Sequence, residues 1–458
     1  MSSSTPLHSL SLPLSIFFIF LISSFVAPAT VPPSKTFRYV NEGEFGEYIV
    51  DRSESTMRWV WDANRGNPVH DNATLTFGRD GNLVLADADA DGRVAWQTGT
   101  ANKGVVDLKL LQNGNLVLLD KLRKFVWQSF DYPTDTLLIG QVLLPGGPNK
   151  LVSRVSSVDG SAGPYSFVVE QRRLAMYLNS KNSPKPLLYY ASDEFGNGQG
   201  SLAHFVFQSE PVTDEAYAYE LRFMYDMNNS TNSGTYILAR PKYNSTYSML
   251  RVDFDGNLRI YTFYDKVDWG AWEVTFNLFD RDGSEWRLPK RCGSLGVCED
   301  DQCVACPMPQ GLLGWSKNCA APMLSVCKKG ANVDYYKVVG VEHFMNAYTE
   351  GDGPMKIAEC RERCSKDCGC LGFFYREESS KCLLAPELGT LAKVSNSSHQ
   401  LSSFTRIKLT FDNPTDILFM DQEVLRPGAP NILVSKVSNV DGFEGPHSFV
   451  MEQKQLAM

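Results

Sequence analysis

Between about residues 45 and 290 the chain is written in short alternating runs, NLVLAD, RVAWQT, NLVLLD and KFVWQS among them, punctuated by the turn pairs DG, GN and NG. Alternation with a period of two predicts strands, and the Gly, Asn and Asp pairs predict tight hairpin turns between them. In FGRDGNLVLAD the period places Leu83 and Leu85 on one face and Asn82, Val84 and Ala86 on the other, so the strand has a side to bury and a side for contacts. The unit recurs: Asn82 returns as Asn115, Trp96 returns as Trp127, and a third DGNL stands at Asp255 to Leu258. Such recurrence predicts a fold assembled from equivalent sheets whose shared faces make the core. No helical periodicity is evident in this region.

A different pattern opens the chain. The apolar run through Ile16, Phe17, Phe18, Ile19 and Phe20 leads to small residues at Ala27 and Ala29, which reads as a secretory signal over residues 1–29 cleaved after Ala29. No later stretch approaches the roughly 18 consecutive apolar residues that a membrane span needs, so no membrane association is expected after cleavage.

Cysteine changes the picture further. All eleven cysteines lie between Cys292 and Cys382, which marks a disulfide-stapled region after a cysteine-free one. An odd count leaves one thiol free or paired with another chain. His343 and His399 near the cluster lack finger spacing, and no metal site is expected. A helix around Met355 to Lys366 carries Cys360 and Cys364 one turn apart on one face. With 52 acidic and 44 basic side chains, the net charge of −8 supplies no basic surplus for a nucleic-acid partner. Sequons at Asn72, Asn228, Asn229, Asn244 and Asn396 predict N-linked glycans on exposed surface.

Two further patterns need a reading. Asp87 to Gly92, DADADG, matches the first half of a calcium loop, but Thr98 replaces the closing Glu and strands replace the flanking helices, so a solvated hairpin turn is expected. Residues 130–176, from FDYPTDTLLIGQ to YSFVVEQRRLAM, return at 411–458 as FDNPTDILFMDQ to HSFVMEQKQLAM, with one residue inserted near Glu423. This truncated repeat is expected to form a partly ordered tail with an open strand edge.

VWDANRGNPV (Val60 to Val69), the DGNLVL and NGNLVL strands, and VWQSFDYPTDTLL (Val126 to Leu138) resemble plant bulb-type lectin domains. GSLGVCEDDQCVACP resembles the EGF-like segment of S-locus glycoproteins, and CRERCSKDCGCLGFFY with KCLL resembles a plant PAN/apple domain. The resemblance implies a mainly β chain: a lectin domain at 44–164, a lectin-like domain at 165–290, each a β-prism of three four-stranded sheets, an EGF-like segment at 291–326 and a PAN domain at 327–409. It also implies the disulfides Cys360–Cys382 and Cys364–Cys370, leaving Cys368 for a partner outside this group.

The bulb-type lectin sugar motif sets Gln, Asp, Asn, Val and Tyr at alternate positions, so that all five share one face and the polar ones reach sugar hydroxyls. Here the five places hold Gly78, Asp80, Asn82, Val84 and Ala86; then Leu111, Asn113, Asn115, Val117 and Leu119; then Asp253, Asp255, Asn257, Arg259 and Tyr261. The frame persists while contacts are lost. The carbohydrate candidates are Asp80, Asn82 and Val84, then Asn113, Asn115 and Val117, then Asp255, Asn257 and Tyr261; Asp80 with Asn82 ranks first. The alternative is that the Asn and Asp residues only make the turns. Trp269, Trp272 and Tyr264 are further candidates for stacking on sugar rings. No GxSxG elbow or P-loop occurs, and neither a catalytic residue nor a cofactor is expected. The expected function is that of a secreted, non-catalytic, lectin-like glycoprotein of the apoplast or cell wall, meeting cell-wall glycans or glycoproteins. The alternative is a protein-interaction chain that docks an apoplastic protein or receptor, or oligomerises, through its EGF-like and PAN modules.

Overall fold

The computed structural model describes residues 29–410 except 41–57, 89–91, 148, 199, 213–218, 229–232, 242–246, 265–270, 281–284, 310, 321–332 and 394–402. Residues 1–28 of the expected signal segment 1–29, the repeat at 411–458, Trp269, and the sequons at Asn229, Asn244 and Asn396 lie outside the described residues. The chain divides into two compact units, residues 1–54 with 62–132, and residues 55–61 with 133–458.

The first unit is built from strands β1 (Phe37–Val40), β2 (Thr74–Phe77), β3 (Leu83–Ala86), β4 (Val94–Gln97), β5 (Val105–Leu110), β6 (Leu116–Asp120) and β7 (Phe125–Gln128). They form an antiparallel sheet β1-β2-β3-β4 and a second, β5-β6-β7. Tight turns carrying the DG and NG pairs join β2 to β3 and β5 to β6, as the sequence predicts. Trp96 and Trp127 meet edge to face at 5.8 Å, tying the equivalent strands β4 and β7 together.

In the second unit the strands are β8 (Thr136–Leu138), β9 (Val142–Leu143), β10 (Leu151–Arg154), β11 (Ala162–Val169), β12 (Leu174–Leu178), β13 (Leu187–Ala191), β14 (Ser201–Pro211), β15 (Tyr219–Asn228), β16 (Ser233–Ala239), β17 (Ser248–Val252), β18 (Leu258–Tyr264) and β19 (Ala271–Asn277). They make three four-stranded sheets, β19-β18-β17-β8, β16-β15-β14-β9 and β10-β11-β12-β13. Strand β18 alternates buried and half-buried residues along its whole length, putting Leu258, Ile260, Thr262 and Tyr264 inward. The three inner faces share one core around Phe167, Phe205, Phe223, Tyr189 and Phe279.

The boundary expected at 164/165 falls inside β11, and the main stretch of the second compact unit begins at 133. The reason is pairing: β8, β9 and β10 each occupy one edge of one of the three sheets. Asp135, next to β8, is buried and accepts a 2.9 Å bond from Arg154 Nε on β10, so the PTDT stretch anchors this prism.

After the prism come β20 (Leu295–Glu299), β21 (Gln302–Met308), β22 (Gly311–Gly314), β23 (Val333–Val339), β24 (Val341–His343), helix α1 (Ile357–Lys366), β25 (Gly372–Arg376), β26 (Lys381–Ala385), β27 (Gly389–Lys393) and β28 (Ser403–Thr410). Strand β20 pairs in parallel with β27, giving the sheet β22-β21-β20-β27-β24. The segments expected as separate EGF-like and PAN modules therefore share a sheet. A second sheet, β23-β28-β25-β26, carries α1. Disulfides join Cys292 to Cys303, Cys306 to Cys319, Cys360 to Cys382 and Cys364 to Cys370. Cys360 and Cys364 lie fully buried on α1 and pack with Phe373, Tyr335 and Met355. Cys368 is also disulfide-bonded, and Cys298 is buried on β20. Asn182 Nδ2 donates to Pro386 O at 2.9 Å and Ser180 Oγ to Glu387 Oε1 at 2.7 Å, which fastens this module to the prism.

Candidate functional site

The three motif stretches fold identically, for a reason that begins with the turn. In the first, Gly78 N donates to Asn82 O, Gly81 N donates to Gly78 O, and Asn82 N donates to Asp80 Oδ1 at 3.1 Å. The same three bonds recur with Leu111, Gly114, Asn115 and Asn113, and again with Asp253, Gly256, Asn257 and Asp255. Asp or Asn at the first turn place folds its side chain back on the backbone, which is the ordinary reason these residues favour turns. Gly81 and Gly256 have φ of +80° and +88°, and a Cβ on either would press into Val105 or Tyr165.

The asparagine that follows points inward. Asn82 is 7% exposed; its Nδ2 donates to Gln97 Oε1 at 2.9 Å, and its Oδ1 accepts from Thr98 Oγ1 at 3.0 Å and Thr100 N at 3.1 Å. Asn115, 3% exposed, repeats this with Gln128 Oε1 at 2.9 Å, Ser129 Oγ at 3.2 Å and Phe130 N at 3.3 Å. Asn257, 0% exposed, donates to Phe279 O at 3.0 Å and accepts from Phe279 N at 3.2 Å. Each amide thus bolts its hairpin turn to chain beyond a neighbouring strand. An amide oxygen has two lone pairs, and in Asn82 and Asn115 two donors take them.

The other motif places diverge. In the first repeat Asp80 is exposed at the turn and Val84 half-buried, so part of the face meets solvent. In the second, Val117 is 0% exposed, and Leu118 and Leu119 are buried beside it. The expected open side is absent because successive residues of β6, Val117 and Leu118, which point to opposite faces, are both fully buried, so the strand is covered on both faces. Only Asn113 of that set is exposed.

In the third repeat the face is occupied from within. Arg259 donates to Asp253 Oδ2 at 2.7 Å and to both oxygens of Asp255 at 3.0 and 2.7 Å, while Tyr261 Oη donates to Asp253 Oδ2 at 2.8 Å. Burial pushes the Asp253 carboxyl above its ordinary range despite the pull of Arg259, and the two carboxylates hold Arg259 firmly charged. A planar guanidinium paired with both oxygens of a carboxylate is a strong, oriented contact. It lies along the line of the strand where the lectin motif has its valine.

Other sequence candidates settle elsewhere. Tyr264 is buried, and Trp272 packs on Phe263 with Arg58 5.7 Å over its ring. Asp87 is no solvated turn residue: it is buried, with Arg93 bonded to its Oδ2 at 2.8 Å, His70 Nδ1 at 2.9 Å from that oxygen, and the backbone N–H groups of His70 and Ala88 on Oδ1. The Arg93 bond, with those from His70 and Ala88, holds its carboxyl far below the usual range against the cost of burial. Asn72 and Asn228 are both exposed, Asn72 with φ of +63° and Asn228 with its Nδ2 bonded to Leu202 O at 3.1 Å. Among the described residues no group of three His, Cys, Asp or Glu side chains is placed to hold a metal ion.

Three repeated lectin-type turns, a complete three-sheet prism and a stapled α1–sheet module define a lectin-and-PAN class of chain. Residues 56–156 match the family described as D-mannose binding lectin, and residues 346–408 match the PAN domain. The chain is 44% identical over 435 residues to EP1-like glycoprotein 2 of Arabidopsis thaliana, covering 81% of this chain and 94% of that protein. It is 46% identical over 372 residues to the epidermis-specific secreted glycoprotein EP1 of Daucus carota, covering 69% and 94%. At 27% over 373 residues it is similar to the S-locus-specific glycoprotein BS29-2 of Brassica oleracea var. alboglabra, covering 76% and 79%. The chain belongs to the EP1-like glycoprotein family, a lectin-type family with secreted glycoproteins among its named members. No helix among the described residues is long and apolar enough to cross a membrane.

Proposed function

We propose that this protein is a non-catalytic glycoprotein of the plant apoplast or cell wall that serves as a binding scaffold, with its motif strands acting as frame and not as mannose sites. The observation that carries this reading is the commitment of all three motif asparagines to internal hydrogen bonds, together with Arg259 seated on the third face. A sugar at the third place would have to displace a guanidinium from two carboxylates. At the second it would have to reach a strand covered on both faces. Each hydrogen bond so forfeited weakens binding by about 0.5–1.5 kcal/mol, enough in a shallow site to abolish retention. Glycan or glycoprotein partners of the cell wall then meet other surfaces of the molecule, the stapled C-terminal module included.

A second reading keeps weak glycan binding at the first repeat, and one feature favours it: Asp80 and Gln97 are both exposed there, on either side of Asn82. Binding of the purified protein to immobilised mannose and to a plant cell-wall glycan array, beside Asp80→Ala, separates the two. The scaffold reading expects no mannose retention and an array profile unchanged by Asp80→Ala. Retention abolished by that substitution overturns it.

A further inference from the structure

Strands β13 and β16 are edge strands of two different sheets of the second prism. Where they converge the surface is hollow, with a cavity of about 320 Å³ walled by Tyr190, Phe195 and Tyr236 and rimmed by Ser192, Asp193 and Glu194. We propose that this hollow is a glycan subsite for one neutral pyranose residue, held by Asp193 and Glu194 and packed on the tyrosine walls. It deepens the reading above, in that it places sugar contact away from the motif strands.

The argument starts from the walls. Phe195 stands edge-on to Tyr236 at 5.9 Å and packs on Phe205 at 5.1 Å and Tyr225 at 4.8 Å, so the aromatic corner is rigid before any ligand arrives. The rim is fixed as well: Phe195 N donates to Arg172 O at 2.8 Å, and Ser192 Oγ accepts from Leu174 N at 3.0 Å. A preformed concave site with aromatic walls and a few convergent polar groups is what small ligands use, and this volume is at the lower end of the usual range, as a single ring requires. A pyranose offers an apolar C–H face to an aromatic wall and adjacent hydroxyls to carboxylate acceptors.

Charge decides between a neutral sugar and a cation. Asp193 and Glu194 are both exposed, but Arg172 lies 3.7 Å from Glu194 and offsets one of the two charges. What remains suits hydroxyl donors, which need acceptors and not a large field.

Saturation-transfer NMR with the methyl glycosides of mannose, glucose, galactose and xylose, and with glucosamine, tests the subsite on wild type, Asp80→Ala and Asp193→Asn/Glu194→Gln. The expected result is transfer from at least one neutral glycoside to wild type and Asp80→Ala alike, weakened at least tenfold in the double variant, whose thermal unfolding matches wild type. Asp193→Asn alone serves if the double variant does not fold. Absence of transfer from every glycoside, transfer that survives the rim substitutions, or preference for the amine overturns the subsite. Transfer lost in Asp80→Ala overturns instead the claim that the motif strands are frame.

Discussion

Asn257 has no exposed surface, and both ends of its amide are bonded to the backbone of Phe279. Asn257→Ala strands a buried N–H and a buried carbonyl, so stability should fall by about 2–4 kcal/mol, while Asn113→Ala at an exposed turn should cost less than about 1.5 kcal/mol. Urea denaturation of the two variants measures the contrast; equal, small effects would mean that Asn257 is no clamp. His343 makes a second residue-scale case. It is buried between Phe344 and Phe374, its Nδ1 accepts from Met345 N at 3.3 Å, and burial, outweighing contacts with the Glu387 and Leu388 backbone, lowers its pKa to about 3. The unfolded chain binds this proton near 6.5, so between 6.5 and 3 the unfolded state holds more protons than the folded one. The contribution of His343 is therefore complete above pH 6.5 and is lost as pH falls toward 3. Thermal midpoints across that window should drop more steeply for wild type than for His343→Asn, which keeps an acceptor for Met345 N without titrating.

At the level of elements, α1 is held by two staples, one to β26 and one to the chain that follows it. Replacing Cys360 and Cys382 by Ala removes the longer loop constraint, spanning 22 residues, and should cost about 2–4 kcal/mol. Faster proteolysis around α1, with the prism spared, is the accompanying signature. How much of this was legible in the sequence depended on locality. The hairpins, the α1 face bearing Cys360 and Cys364, and the turn role of Asp80 and Asn113 follow from spacing, because a turn is decided within four residues. The inward aim of Asn82 and Asn115 does not: period two puts Asn115 on the face with Val117, and that this face is buried as well as the one bearing Leu118 depends on packing from outside the strand, which the pattern does not carry. Arg259 was visible as the odd residue of its motif, yet its three bonds to Asp253 and Asp255 required the strand's geometry. The parallel pairing of β20 with β27 lay furthest out of reach, since parallel neighbours are joined by long connections that leave no local signature.

For the whole molecule the decisive fact is where the second unit begins. Residues 133–164 supply β8, β9, β10 and the start of β11, and the first three of these close one edge of each sheet in the prism. Leu137, Leu143 and Leu151, one from each, are fully buried in the shared core. A fragment of residues 165–410, cut at the boundary the family resemblance implies, loses all three of those side chains and exposes three strand edges at once; it should be insoluble or unfold without cooperativity. A fragment of residues 133–410 keeps every pair of the prism and the sheet shared by β20 and β27, so it should show a single sharp thermal transition by circular dichroism. Residues 55–61 also belong to this unit, where Trp59 O accepts from Arg251. Their absence should lower the midpoint without abolishing the transition, because their described residues add surface contacts, the Arg251–Trp59 hydrogen bond and the Arg58–Trp272 cation–π contact among them, and no described strand to any sheet. If the shorter fragment folded as cooperatively as the longer one, the prism would not depend on its three leading strands, and the sheet assignments would have to be redrawn.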